Sequence, residues 1–140
     1  MITQIIPKYH KAVNIELNSS SKCAYQHTTD TILLNLKSLH LNETHFKQDL
    51  SKWLGIKLSF KNFIVFCLLH ELGHRQRYMK NKFNKELYYV ELAGIEGERG
   101  TYKFRKHYWE DITEEKLAMD YAKKYFKKYI AAQVAKGKNE

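Results

Sequence analysis

The sequence predicts one α+β domain: short antiparallel strands near the N-terminus packed on an apolar helix, with a long helix at the C-terminal end. Three observations predict it. Residues 11–17 (KAVNIEL) and 31–36 (TILLNL) carry strand patterns. Residues 60–80 hold the apolar run FIVFCLL, which reaches helical length once its flanks are included. Residues 113–134 repeat apolar positions at helical spacing. With 140 residues, 44% hydrophobic and 28% charged, the chain can bury a core and is too apolar to read as disordered.

In the first strand Val13, Ile15 and Leu17 alternate with polar residues, as on a half-buried sheet. The following NSSSKC supplies turn chemistry, and 31–36 then returns antiparallel to the first strand. Asn42 caps a helix over 43–54 that puts Phe46, Leu50, Trp53 and Leu54 on one face and stops at Gly55. Ser59 caps the next, at about 60–80. Its second half, Arg75 to Lys82, turns basic, which suits solvent and a helix C-terminus.

Between 83 and 110, Gly94, Gly97 and Gly100 punctuate a stretch holding Tyr88, Tyr89, Tyr102, Phe104, Tyr108 and Trp109, which predicts short strands or irregular loop. The last helix runs from Thr113 to about Val134. Its core stripe is Leu117, Tyr121 and Tyr125, with Ala118, Ala122 and Phe126 beside it and Lys123, Lys124, Lys127 and Lys128 facing water. Residues 129–140 read as a basic tail expected to fray.

Composition narrows the function classes. Two cysteines, Cys23 and Cys67, make no disulfide framework and read as free thiols of a reducing compartment. The first residues, MITQIIPKYHKAV, lack the apolar core of a signal peptide, and the run 63–69 falls far short of the roughly 20 residues a membrane span needs. A cytosolic protein with no membrane partner is the expectation. Net charge is +9, from 24 Lys and Arg against 15 Asp and Glu. That charge is compatible with nucleic acid or an acidic protein. It is spread out, however, without the interleaved arginines and aromatics of a reading surface, so a solvated lysine-rich exterior is the simpler expectation.

The chemistry concentrates in Leu69-His70-Glu71-Leu72-Gly73-His74. Residues four apart lie above one another on a helix, so His70 and His74 aim two imidazoles at one point, a spacing that suits zinc. Glu71 is turned by about 100° from His70, beside the metal, where it can take a proton from water. This is the HExxH pattern of zinc peptidases; at this His and Glu content it would arise by accident in about 3 chains in 100. Gly73 leaves room for a close backbone or substrate approach.

A catalytic zinc needs a third protein ligand. A metzincin continuation fails, because its Gly and His positions hold Arg77 and Lys80. That leaves a later carboxylate: Glu91, Glu96, Glu98, Glu110, Asp111, Glu114, Glu115 or Asp120, with His107 as a nitrogen alternative. Glu115 leads the field. It opens the last helix, and Ala118 and Ala122 follow it at three and seven residues on the same side, small enough to let that helix lie close to the motif helix. Both Glu114 and Glu115 also suit a helix N-terminus for electrostatic reasons alone.

HELGH after an apolar helix, followed by Glu115-Lys-Leu-Ala118-Met-Asp-Tyr121-Ala122, resembles the E-x-x-A-x-x-[FY]-A helix of the ImmA/IrrE-type metallopeptidases over roughly residues 30–128. The resemblance implies a small zincin-like domain of gluzincin type and a cytosolic zinc-dependent peptidase, often of phage or mobile elements, that cleaves a repressor or another regulatory protein. Carried over, the ligands are His70, His74 and Glu115, with Glu71 as catalytic base. Tyr78, Tyr121 and His107 are candidates to stabilise the oxyanion. The alternatives are a non-enzymatic zincin-like module that binds protein or nucleic acid, and a helical domain without metal.

Overall fold

A computed structural model of the chain describes residues 14–17, 23–34, 43–97 and 112–139. In chain order its elements are strands β1 (Asn14–Leu17), β2 (Ala24–Gln26) and β3 (Thr31–Leu34), and helices α1 (Glu43–Leu54), α2 (Phe60–Met79), α3 (Lys85–Gly97) and α4 (Thr113–Asn139). The described residues therefore form an α+β domain, mostly helical, with a small three-stranded sheet.

The core is built around α2. Ser59 caps it as predicted, its side chain accepting the Asn62 N–H at 3.1 Å. Residues Phe63 to Leu69 are all buried, so this stretch is covered on every side, as an all-apolar helix must be. Phe66 meets Trp53 of α1 edge-on at 6.5 Å between centroids and Phe126 of α4 at 5.6 Å. Ile32 and Leu34 of β3 are fully buried and alternate with half-buried Thr31 and Leu33, which sets one face of the sheet on the core.

The sheet order is β1-β3-β2. It corrects the expectation of an antiparallel pair: β1 runs parallel to β3, with Ile15 opposite Ile32. The antiparallel neighbour of β3 is β2, a three-residue strand just after the NSSSKC turn that the sequence pattern does not predict, with Tyr25 opposite Ile32. The intervening turn ends at Asp30 in the left-handed region (φ 47), which Asp tolerates better than most residues. Arg75 of α2 then grips Asp30 with two hydrogen bonds, Nε to Oδ1 at 2.7 Å and Nη2 to Oδ2 at 3.1 Å, and the Tyr25 hydroxyl donates to Oδ1 at 2.7 Å. A fork from the motif helix thus fastens the β2–β3 hairpin to it.

Leu50 and Leu54 of α1 are buried and Gly55 (φ 71) ends the helix, as read; Asn42 and the Phe46 side chain lie outside the described residues. Helix α2 ends in a Schellman motif. Asn81 is left-handed (φ 55), its N–H donates to the Tyr78 carbonyl at 3.0 Å, and the Lys82 N–H donates to the Arg77 carbonyl at 2.8 Å.

A second correction concerns 83–110. Residues 85–97 form helix α3 instead of strands or loop, started by Asn84, whose side chain accepts the Leu87 N–H at 3.0 Å. Residues 98–111 lie outside the described residues. Helix α4 begins at Thr113 as expected and runs on to Asn139. Its core stripe is rotated from the predicted one. Ala118, Met119, Ala122, Phe126 and Tyr129 are buried, Tyr121 and Tyr125 are half-buried, and Leu117 is exposed. The small alanines take the line of closest approach to α2, where a leucine has no room. Lys124, Lys127 and Lys128 are exposed, while Lys123 lies 4.5 Å above the Trp53 ring.

Candidate metal centre

The polar half of α2 meets the first turn of α4. His70 and His74, one turn apart, stand with their rings nearly perpendicular, centroids 4.7 Å apart, and their Nε2 atoms 3.2 Å from one another. The Glu115 carboxylate closes the triangle, with Oε2 at 2.9 Å from His70 Nε2 and Oε1 at 3.3 Å from His74 Nε2. Tetrahedral zinc with bonds of 2.0–2.2 Å separates its ligand atoms by about 3.4 Å. The three donors need only slight adjustment to hold such an ion.

The packing explains the short reach. A Cβ built on Gly73 would lie 3.1 Å from the Ala118 carbonyl oxygen, 3.2 Å from its Cα and 3.0 Å from the Tyr121 ring. Gly73 and fully buried Ala118 are therefore the contact that brings α4 onto α2. One turn N-terminal to Ala118, Glu114 and Glu115 arrive at the imidazoles.

The charges also call for a cation. Burial alone would lower the His74 pKa, but hydrogen bonds and charge from Glu114 and Glu115 raise it to about 10. Burial likewise opposes ionisation of Glu115, yet His70 and His74 hold its carboxyl well below the ordinary carboxylate value. With Nδ1 of His74 facing one carboxylate and Nε2 facing another, the ring takes either a second proton or a metal in its place. Donor types, distances and charge all fit zinc.

Glu71 is nearly buried, 6% exposed, and its carboxylate lies within 4.8 Å of the imidazole nitrogens. Among the described residues no hydrogen bond joins it to either ring, whereas Glu115 contacts both, so Glu115 is the better-placed candidate for a third donor and Glu71 stands beside the pair. Burial raises the Glu71 pKa, partly opposed by His70 and His74, and the Tyr25 backbone N–H supports its carboxylate from β2. A buried, raised carboxylate close to the ligands is the form a proton-transfer group takes.

The other candidates separate cleanly. Glu114, 6% exposed, stands behind the site: its Oε2 is 3.0 Å from His74 Nδ1 and its Oε1 accepts from Arg77 Nε at 2.8 Å. Glu91 of α3 accepts from the Thr113 backbone N–H and hydroxyl, both at 3.1 Å, and so caps α4 from outside. Asp120 is exposed. His107, Glu98, Glu110, Asp111 and the Glu96 side chain lie outside the described residues.

Of the oxyanion candidates, Tyr78 stacks on His27 at 4.7 Å, and half-buried Tyr121 packs at Gly73 and against Tyr125. A residue the sequence reading passed over is Tyr88 of α3. It is half-buried, and its pKa is raised by burial and then by the charges of Glu115, Glu114 and Glu71, which puts the phenol in the field of the site. Arg77 was missed as well, although its spacing of three from His74 sets both on one side of α2.

No protein-family model, curated protein or solved structure matches the chain.

Proposed function

We propose that this protein is a zinc-dependent metallopeptidase of gluzincin type, with a zincin-like arrangement resembling the ImmA/IrrE-type enzymes. The observation that carries the reading is the triangle of His70, His74 and Glu115 with buried Glu71 beside it. A zinc ion held by those three residues supplies Lewis-acid chemistry, acidifying water and polarising a carbonyl. Glu71 takes the proton as the water oxygen attacks a peptide carbonyl, then delivers it to the leaving amine.

The substrate is a protein or peptide, and edge strand β2, next to Glu71, offers backbone groups to an extended segment. A cytosolic regulatory protein or repressor suits the resemblance. Neither Cys23 nor Cys67 is in a disulfide, which suits a reducing compartment. Among the described residues no helix is long and apolar enough to cross a membrane.

Elemental analysis tests the metal. About one zinc per chain, lost in both His74→Ala and Glu115→Ala, supports the reading, and no zinc after reconstitution overturns it. Glu71→Gln then keeps the metal and abolishes hydrolysis. A second reading, a zincin-like module that binds protein or nucleic acid without catalysis, draws on the net charge of +9 and the lysines of α4. It gives no account of Glu71, because holding a metal on the other three residues does not require a buried carboxylate beside it. Full biological function of Glu71→Gln would favour that module.

A further inference from the structure

The two imidazoles of the site are not equivalent. Among the described residues His70 Nδ1 is buried without a hydrogen-bond partner, whereas His74 Nδ1 meets Glu114 at 3.0 Å. Glu114 is itself gripped. Its second oxygen accepts from Arg77 Nε at 2.8 Å, and Arg77 Nη2 donates to the Lys82 carbonyl at 3.0 Å. The Lys82 N–H returns a bond to the Arg77 carbonyl at 2.8 Å, so Arg77 and Lys82 hold each other across the end of α2. The guanidinium is thereby fixed by the helix cap, and a fixed guanidinium presents its fork in one direction.

We infer that Glu114 and Arg77 are positioning residues for a divalent metal ion, bracing His74 from behind through the C-terminal cap of α2, while Glu115 faces the ion. The inference rests on the metal reading above and goes beyond it by dividing the adjacent carboxylates between two roles. Consecutive helical residues diverge by about 100°, so one turn of α4 can put Glu115 on the ion and Glu114 on the far side of an imidazole. A carboxylate accepting from Nδ1–H fixes the tautomer that leaves Nε2 free to ligate, and it makes that nitrogen a stronger donor. Arg77 orients Glu114 and gives the buried side chain a charged partner, since an unpaired carboxylate at 6% exposure would be strongly disfavoured.

The test is zinc affinity, measured by competition with a chromophoric chelator on the full chain, with circular dichroism and thermal melts of each apo-protein as a folding check. Glu114→Gln keeps the shape and loses the charge; the expected loss is about 10- to 100-fold in affinity. Glu114→Asp recovers part of it. Arg77→Gln weakens binding by a smaller factor, and Arg77→Lys, which keeps charge without the fork, stays near the glutamine variant. In the cobalt-substituted protein Glu114→Gln shifts the visible ligand-field bands, which a structural salt bridge remote from the ion would leave alone. Wild-type affinity and bands in a folded Glu114→Gln protein overturn the inference and leave the metal site standing. Should Glu114→Gln fail to fold, unchanged affinity in folded Glu114→Asp and Arg77→Gln overturns it equally. Failure of the wild type to bind zinc or cobalt removes the metal reading and this inference together.

Discussion

The two halves of α2 are packed by different physics. From Phe63 to Leu69 the helix is sealed in apolar side chains, with Phe66 set between Trp53 and Phe126. From His70 to Arg77 the same helix faces the same partner, α4, through directional pairs: His70 with Glu115, His74 with Glu114 and Glu115, Arg77 with Glu114. Apolar contacts are tolerant of partner and gain free energy roughly with area. The polar half has the opposite character, since each buried charge needs one particular partner at one distance. The first half holds the helix pair together through its apolar core, while Gly73 against Ala118 in the second half sets the spacing that the charged pairs use.

Cutting into the apolar half gives the largest effect. Phe126→Ala should cost about 3–5 kcal/mol in unfolding free energy, read from denaturant titration of the metal-free chain. Little change there would mean that the polar half, not the core, holds the helices together. Next comes the metal. Zinc at a hundredfold excess over its dissociation constant should add about 2.7 kcal/mol, reversed by a chelator and absent in Glu115→Ala. Equal stabilisation of Glu115→Ala would move the third ligand elsewhere.

The close contact within the second half is sharper to probe. Gly73→Ala gains about 1 kcal/mol of helix propensity but presses a methyl against the Ala118 backbone, at an overpacking cost of about 1–3 kcal/mol. A net loss of about 1 kcal/mol is expected, with a larger proportional loss of zinc affinity as α4 shifts outward. A stabilised variant that binds zinc normally would show that the close approach is dispensable.

The smallest effect is expected at the hairpin clamp. The hydrogen-bonded Arg75 guanidinium, with help from the Tyr25 hydroxyl, outweighs desolvation and holds the Asp30 carboxyl below its ordinary value of 3.8. A lowered carboxyl stabilises above the unfolded-state pKa and loses that contribution as pH falls through the folded one. The wild type should therefore lose stability relative to Asp30→Asn below about pH 4. The pair is partly solvated, so the difference should stay within about 1 kcal/mol. Parallel pH curves for the two proteins would remove the clamp.

Much of the site was legible because its signals are local. HELGH sets two imidazoles together by helical spacing, and Ala118 and Ala122 mark the face of α4 that can approach. Helix α1 and its Gly55 stop, the Ser59 cap and the start at Thr113 were equally readable. What escaped was decided at a distance. Strand β2 is three residues long, and the turn that follows it is held through Asp30 by Arg75, 45 positions away in sequence. Helix α3 is exposed over much of its length and carries Gly94, so its pattern favours nothing; the Asn84 cap and the Glu91 contact to Thr113 define it. The rotation of the α4 stripe followed from size, with alanine preferred to leucine where two backbones nearly touch. Glu114 and Glu115 were both visible as an acidic first turn, yet only packing distinguishes their partners.

Because Gly73 lies directly against the Ala118 backbone, the spacing of the helices at the donor triangle is held short. Donors 2.9–3.3 Å apart suit an ion that bonds at about 2.0–2.2 Å. Calcium bonds oxygen at 2.3–2.6 Å and collects six to eight ligands, so it would have to force the helices apart and still lack oxygens. For the metal centre proposed above, selection by ionic size would thus be set by a glycine and an alanine outside the donor set.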